Sequence, residues 1–305
     1  MASPELESLR AAILAAAAKS GSSSDRFDVA AMRAAAQASP WPIPEDCRTA
    51  EVEAGGVPAH WLVAAGSDPA RRLLYLHGGG WVAGGMGSHG SHAARVSAST
   101  GCAVLLPEFR LAPEHPFPAA LDDALAAYSY LLECGPDGPA RPSAVFCGGD
   151  SGGGGTALAL LLRLRDDGDR LPDAAFTFSA VTDLTCSGES MRTRAAVDPL
   201  INPALVSVGA ALYLGGVDPR DPHVSPVFGD YTGLPPLLLQ VGDAEVMLDD
   251  SVRVAERARG AGVDAKLDVW PELFHGFQLW APVLPEGRDA LEQVGRFVRS
   301  FQESA

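Results

Sequence analysis

The sequence has 305 residues, of which 47% are hydrophobic and 20% are charged, and its formal net charge is −15. A hydrophobic fraction of this size excludes wholesale disorder and is ample for a core. The negative charge argues against nucleic acid and against an anionic membrane as partners. No Ser/Gly/Pro-rich linker divides the middle of the chain, so we expect one α/β domain with an added cap.

The N-terminal segment carries Glu5 and Glu7 before an alanine run, which is the wrong charge for a signal peptide, and no apolar run reaches transmembrane length. The chain has five widely spaced cysteines, Cys47, Cys102, Cys134, Cys147 and Cys186. They form no C-x-x-C pair and no Cys/His cluster, which indicates reduced thiols and no metal site. The expected location is therefore the cytoplasm, with no membrane as a partner.

Residues 1–45 are rich in alanine and predict two short helices ahead of the first strand. Alternating runs at 48–53 and 57–64 flank Gly55-Gly56 and predict a hairpin. Apolar strand-like runs then begin near residues 73, 102, 144, 174, 236 and 265. The clearest helical patterns between and after them cover residues 118–132, 249–261 and 286–301. This alternation indicates a mainly parallel sheet covered on both faces, with an antiparallel hairpin at one edge.

One stretch, from about residue 185 to residue 222, breaks the alternation of strands and helices. It is a long insertion between two predicted strands and contains a helical pattern over residues 203–214. Because it interrupts the sheet without adding a strand, we interpret it as a candidate cap over the site.

The run CGGDSGGGG, residues 147–155, sets Ser151 among glycines after a β-like run and before an Ala/Leu-rich helical pattern. This is the pattern of a nucleophile elbow, a strained turn that requires residues without large side chains at Gly149 and Gly153. A glycine-rich turn can also hold a phosphate. However, no acidic residue ends a second strand about 20 residues on, and no Lys follows the glycines. The pattern favours Ser151 as a nucleophile.

A serine that transfers an acyl group needs a base, an acid that orients the base, and donors for the developing oxyanion. The run HGGGW, residues 77–81, follows a predicted strand, and the backbone N–H groups of Gly79, Gly80 and Gly152 are the candidate donors. His275 is the candidate base, because it follows a late strand in LFHGF, residues 273–277. The other histidines have other interpretations. His60 is structural within a strand, and His77 supports the glycine loop through hydrogen bonds. The remaining four are capping or solvated groups in polar or Pro-rich loops: His89, His92, His115 and His223.

The acid is ambiguous from the residues alone. Residues 241–250 contain four carboxylates, Asp243, Glu245, Asp249 and Asp250. The chain order serine, acid, histidine fits each of them. The last two suit the first turn of a helix, where a carboxylate accepts unpaired N–H bonds and meets the positive end of the dipole.

With HGGGW, GDSGGG and LFHGF in this order, the chain resembles the hormone-sensitive-lipase-like family of α/β-hydrolases, which includes many bacterial carboxylesterases. The resemblance spans nearly the whole chain and includes RLAPEHPFPAA at residues 110–120. It implies an α/β-hydrolase fold with a mainly parallel eight-stranded sheet flanked by helices. It also implies a cap made from residues 1–45 and the insertion at about 185–222, with the catalytic domain over 46–305.

The resemblance also bears on the acid. In this family the acid commonly appears as Asp-Pro-Leu-x-Asp, and Glu245-Val246-Met247-Leu248-Asp249 has the same spacing. It therefore assigns Glu245, with Asp243 as the runner-up. The chain also departs from the family at Gly152, where alanine is usual, although either residue supplies the same backbone N–H.

The function implied is a serine carboxylesterase acting on small neutral esters of short to medium acyl chains, through an acyl-enzyme on Ser151. No cofactor is expected, and no H-E-x-x-H pattern points to a metal-dependent hydrolase. Lactonase, amidase, deacetylase and acyltransferase activities use the same residues, and a non-catalytic ligand receptor can share the fold.

A homodimer through the last strand and helix, at the edge of the sheet, is a further expectation.

Overall fold

The computed structural model of the protein describes residues 3–19, 28–37 and 41–301. Two helices precede the sheet, α1 (Pro4–Lys19) and α2 (Val29–Ala36). They lie within the N-terminal range predicted to be helical. Residues 1–2, 20–27 and 38–40 of that range lie outside the described residues.

The strands are β1 (Arg48–Ala54), β2 (Val57–Val63), β3 (Asp68–Leu76), β4 (Cys102–Pro107), β5 (Cys134–Gly135), β6 (Gly138–Pro139), β7 (Ala144–Asp150), β8 (Ala174–Phe178), β9 (Leu237–Gly242) and β10 (Ala265–Trp270). In the described part of the chain, eight of them form one sheet in the order β1-β2-β4-β3-β7-β8-β9-β10, and β5 and β6 form a small separate ribbon. In the large sheet, β2 pairs antiparallel with β1 and β4, and every other neighbouring pair is parallel. The predicted mainly parallel sheet with a hairpin at one edge is confirmed.

The remaining helices are α3 (Met86–Thr100), α4 (Ala119–Glu133), α5 (Ser151–Asp167), α6 (Ser190–Thr193), α7 (Pro203–Leu214), α8 (Leu248–Gly260) and α9 (Pro285–Arg299), with short 3₁₀ turns at Pro226–Phe228 and Phe277–Trp280. Side chains alternate along each strand, so the sheet has two apolar faces. Leu74 and Leu76 of β3 pack on the side of α4 and α5, whereas Leu73 and Tyr75 pack on the side of α3 and α9.

Helix α3 was not predicted from the sequence. Its residues, MGSHGSHAARVSAST, have low helix propensity and few large apolar side chains, so the pattern reads as a loop. The interpretation of His89 and His92 as loop residues was therefore wrong. Both lie in α3 and are nearly buried, because this helix packs closely against the sheet and α9.

Four of the loops that follow parallel strands start at the same edge of the sheet. The chain leaves β3 towards the glycine loop, β7 towards Ser151, β9 towards Glu245 and β10 towards His275. In parallel sheets, ligand sites form at the carboxyl ends of the strands. The segment between β8 and β9 contains α6 and α7, and α7 lies over this edge.

Candidate active site

Ser151 stands at the turn from β7 into α5 and has a φ angle of 52°. Non-glycine residues rarely adopt positive φ, and strain of this kind concentrates at functional sites. A side chain at Gly149 would lie 2.6 Å from the carbonyl oxygen of Leu76, and one at Gly153 would lie 2.2 Å from the same atom. The two glycines are required because β7 and α5 approach the end of β3 this closely, as the elbow pattern predicts.

A line of hydrogen bonds runs from Ser151 to a buried carboxylate. The Oγ of Ser151 lies 2.9 Å from Nε2 of His275, and Nδ1 of the same ring lies 2.9 Å from Oε2 of Glu245. Glu245 is fully buried, and His275 is 9% exposed. A proton can therefore pass between the serine and the imidazole, while the carboxylate fixes the orientation of the ring.

The second oxygen of Glu245 is held by two donors. Its Oε1 accepts hydrogen bonds from the Ser179 hydroxyl at 2.7 Å and from the backbone N–H of Gly242 at 2.6 Å. Ser179 in turn accepts the N–H of Gly276, beside the histidine, at 3.1 Å. Sequence reasoning missed Ser179; the available signal was its position directly after β8, at the same edge as the other site residues.

The other three carboxylates of the acid segment bind elsewhere. Asp243 accepts the backbone N–H of Glu272, which ties the two loops together. Asp249 accepts the N–H of Ser190, and Asp250 accepts the N–H groups of residues 182 and 183. Asp249 and Asp250 lie in the first turn of α8 as predicted, but they accept N–H groups of the segment that follows β8 and not those of the helix itself.

The glycine loop after β3 lies beside Ser151. Gly79 and Gly80 have φ angles of 119° and 61° and line the cavity above the serine. Within the described part of the chain, their backbone N–H groups donate to no protein acceptor. Gly152, the second residue of α5, has an N–H at the helix N-terminus, where backbone donors have no partner inside the helix. The three predicted donors therefore lie near the serine, and Gly79 and Gly80 line the cavity that a ligand would enter.

Asp150 anchors the glycine loop to the elbow. It is 3% exposed, and its Oδ1 accepts the Tyr75 hydroxyl at 2.9 Å and the N–H of Gly78 at 3.0 Å. Its Oδ2 lies 3.3 Å from Nε2 of His89. Burial alone would raise the pKa of this carboxyl, but the charges and hydrogen bonds of the histidines and the tyrosine lower it well below its usual range. Asp150 therefore stays ionised and holds the loop.

His77 also supports the loop. It is 1% exposed, stacks on Phe109 with ring centres 4.1 Å apart, and lies with Nδ1 2.9 Å from the carbonyl oxygen of Gly78. Burial lowers its pKa to about 4. The ring is therefore neutral near pH 7, as its predicted supporting role requires.

Trp81 fills the space between the glycine loop, the elbow and α7. Its Nε1 donates to Thr156 Oγ1 at 2.9 Å, and its ring stacks on Tyr213 with centres 4.3 Å apart. A side chain at Gly152 would lie 3.2 Å from two carbons of the Trp81 ring. Glycine at position 152, where the hormone-sensitive-lipase-like family usually has alanine, therefore leaves space for the Trp81 ring.

A cavity of about 290 Å³ opens above Ser151. Besides the groups of the active centre, its wall is mainly apolar and includes Met32, Leu200, Ile201, Leu205, Val206 and Trp280. Among the described residues that line it, none is Lys or Arg. Trp81 lines the cavity as well, whereas Val208 of α7 is 39% exposed.

We expect the pKa of His275 to determine how activity depends on pH. Burial lowers this pKa, but the hydrogen bond and charge of Glu245, with the charges of Asp198 and Asp150, raise it above 6.5. A base must be neutral to accept a proton. We therefore expect kcat/KM for p-nitrophenyl butyrate to rise with pH, with the midpoint of the rise at the pKa of His275, above 6.5. A profile measured from pH 5 to pH 9 checks this, and a rate independent of pH over the acid half would contradict it.

Neither a metal cluster nor a membrane-spanning helix is found among the described residues. No group of three or more His, Cys, Asp or Glu side chains there could hold a metal ion. No helix in the same residues is both long and apolar enough to cross a bilayer.

Comparisons with known proteins agree with this geometry. The model of a family described by its alpha/beta hydrolase fold matches residues 73–279. An acetyl-hydrolase of Streptomyces hygroscopicus is 45% identical over 82% of this chain and 82% of its own, and an esterase of Acinetobacter venetianus is 34% identical over 78% of each.

Solved structures agree as well. A crystal structure of EstE5 soaked with p-nitrophenyl butyrate matches with a TM-score of 0.92 and 38% identity, covering 98% of this chain and 99% of that one. An esterase from the bacterial hormone-sensitive lipase family matches with a TM-score of 0.90 and 41% identity over 98% and 99%. The chain therefore belongs to the α/β-hydrolases, in their hormone-sensitive-lipase-like family of esterases.

Proposed function

We propose that this protein is a serine carboxylesterase that hydrolyses neutral esters with short to medium acyl chains through an acyl-enzyme on Ser151. Its family identifies it as a hydrolase of carboxylic ester bonds. The observation that carries the serine mechanism is the line of two 2.9 Å hydrogen bonds from Ser151 through His275 to Glu245.

In the first half of the reaction, the Ser151 oxygen attacks the ester carbonyl while His275 takes the hydroxyl proton. The tetrahedral intermediate collapses, its bond to the alcohol oxygen breaks, and His275 returns the proton to the leaving alcohol. In the second half, water attacks the acyl-enzyme with the same base, and the acid leaves with Ser151 restored. Glu245 holds the imidazole and stabilises its protonated form throughout.

The backbone N–H groups of Gly79, Gly80 and Gly152 form the proposed oxyanion hole. The negative charge on the substrate oxygen appears only in the transition state, so donors aimed at it lower the barrier more than they strengthen substrate binding. Each such donor contributes about 3 kcal/mol. The hydrogen bond from Gly78 to Asp150 keeps the loop in place before the substrate arrives.

The cavity supports the assignment of substrate class. Its volume of about 290 Å³ is at the small end of the range for small-molecule sites, and its walls are apolar. We propose that residues 1–45 and the insertion at about 185–222 form the cap over the catalytic domain, 46–305. Met32 of α2 and Leu205 of α7 support this, since both line the cavity.

The test is a substrate panel combined with covalent labelling. We expect turnover of p-nitrophenyl acetate, butyrate and hexanoate, little turnover of the palmitate, and slower turnover of matched anilides and lactones. A fluorophosphonate probe should form one adduct per chain, on the peptide containing Ser151, and abolish hydrolysis. Faster cleavage of anilides or lactones would favour amidase or lactonase activity. Inertness on every ester would favour a ligand receptor.

The cellular location and the oligomeric state are also proposed. We propose that the protein acts in the cytoplasm, because all five cysteines are free; fractionation of cells of its source checks this.

A homodimer along β10 is also proposed, since this strand ends the sheet and its Val269 is 42% exposed. Light scattering measures the molar mass.

A further inference from the structure

Helix α7 contains a glycine that its helical conformation does not favour. Gly209 is the seventh residue of this twelve-residue helix, and it is buried. Glycine loses more conformational freedom on entering a helix than any other ordinary residue, so alanine is preferred in a helix interior. A buried glycine here therefore requires a physical reason.

Crowding explains other glycines in helices of this protein but does not explain Gly209. A side chain would lie 2.2 Å from a carbonyl oxygen at Gly153, 2.1 Å at Gly155 and 2.2 Å at Gly295, which no real side chain tolerates. At Gly209 the nearest atom is the carbonyl oxygen of Gly80, at 3.6 Å, an ordinary van der Waals contact. The protein has room for a methyl group at this position.

The room beside Gly209 belongs to the cavity above Ser151. Leu205, Val206, Gly209 and Ala210 all line that cavity, and their spacing places them on one face of α7. The contact of Gly209 with Gly80 also places it over the proposed oxyanion loop.

The direction of the substrate follows from the chemistry. The alcohol oxygen must receive a proton from Nε2 of His275, so the alcohol extends towards the histidine loop, where Leu279 and Trp280 line the cavity. The acyl chain leaves the carbonyl carbon on the side away from the alcohol, which leaves it the rest of the cavity, lined by Trp81 and residues of α7.

We propose that the acyl chain of the substrate occupies the space left by the missing side chain of Gly209, so that this residue sets the longest acyl chain the enzyme accepts. The proposal rests on the carboxylesterase function above. It makes Gly209 a specificity-determining residue, whose substitution changes the room for the acyl chain and leaves Ser151, His275 and Glu245 unchanged.

The experiment compares Gly209→Ala and Gly209→Leu with the wild type on p-nitrophenyl esters. The quantity measured is the ratio of kcat/KM for the hexanoate to kcat/KM for the acetate. We expect this ratio to fall about fivefold in the alanine variant and about 100-fold in the leucine variant. The thermal midpoint of Gly209→Ala should equal or exceed that of the wild type, because alanine favours the helix.

Two control variants and a second substrate series isolate the effect. Val208→Leu changes the neighbouring, 39% exposed residue, and Gly260→Ala adds a methyl group in open space at the end of α8. Neither should change the ratio. Ethyl and octyl butyrate vary the alcohol alone, and their relative kcat/KM should be the same in Gly209→Ala as in the wild type.

The outcomes separate this proposal from the one on which it rests. A wild type inert on all esters would overturn both. An active wild type whose acyl ratio is unchanged in Gly209→Ala, or a variant that alters only the alcohol series, would overturn the role of Gly209 and leave the carboxylesterase standing. If Gly209→Leu does not fold, Gly209→Ala decides the matter.

Discussion

Replacing Ser151 with alanine should lower kcat for p-nitrophenyl butyrate by roughly 10⁵- to 10⁶-fold. The hydroxyl oxygen forms the acyl-enzyme, and it is the group that lies 2.9 Å from Nε2 of the His275 base. The variant retains only the stabilisation of the oxyanion, which assists a direct attack of water on the ester. Pre-steady-state kinetics and intact mass during turnover measure the loss, since an acyl adduct should form on the wild type and not on the variant.

Ser129→Ala is the matched control. Its hydroxyl, on the exposed side of α4, donates to the carbonyl oxygen of Leu125, and neither residue lines the cavity. We expect its kcat to remain within about twofold of the wild type, as for most surface substitutions. A Ser151→Ala variant that unfolds at the wild-type temperature and yet retains a tenth of the activity would contradict the acyl-enzyme mechanism.

The elbow could be predicted because its pattern is local in the sequence. Strand, serine and helix follow one another with glycines at 149 and 153, although the atom that a side chain at either glycine would meet first, the carbonyl oxygen of Leu76, belongs to β3. The same holds for the glycine loop, which directly follows β3. Period-two and helical patterns likewise predicted most strands and helices to within a few residues, except that β3 begins five residues before the predicted run.

The choice of acid could not be made from the residues alone, because Asp243 and Glu245 are only two positions apart. The turn after β9 decides which side chain faces the histidine. In that turn the N–H of Gly242 binds the Glu245 carboxylate, while Asp243 reaches the N–H of Glu272. A sequence pattern does not encode the direction of a side chain in such a turn, and only the resemblance to a family favoured the residue that the structure brings to His275.

The contacts of the supporting residues could not be predicted, because their partners are distant in the sequence. His89 and Asp150 are 61 residues apart, and Ser179 and Gly276 are 97 apart. Asp198 is a third case: its carboxylate accepts the N–H groups of Leu200 and Val246, which joins a wall of the cavity to the loop of the acid. Contacts of this kind depend on how helices and loops pack on the sheet, which no local pattern specifies.

Replacing Glu245 with glutamine should lower kcat by roughly 10³- to 10⁴-fold, although the size of the side chain is unchanged. Oε1 of Glu245 accepts two hydrogen bonds, from Ser179 and from the backbone of Gly242. The glutamine oxygen must take that position, which turns its NH₂ group towards Nδ1 of His275. The imidazole then carries its proton on Nε2, points it at Ser151, and no longer acts as a base.

Asp243→Asn is the control for this substitution, because it removes a carboxylate from the same loop while the amide oxygen still accepts the N–H of Glu272. Its kcat should stay within about threefold of the wild type.

The pH profile separates the two variants as well. Loss of the Glu245 charge removes the main influence that raises the pKa of His275, so any residual activity of Glu245→Gln should titrate at lower pH than the wild type. A greater loss of kcat in Asp243→Asn than in Glu245→Gln would assign the acid to Asp243. The carboxylate that orients the base is the one whose neutralisation lowers kcat more.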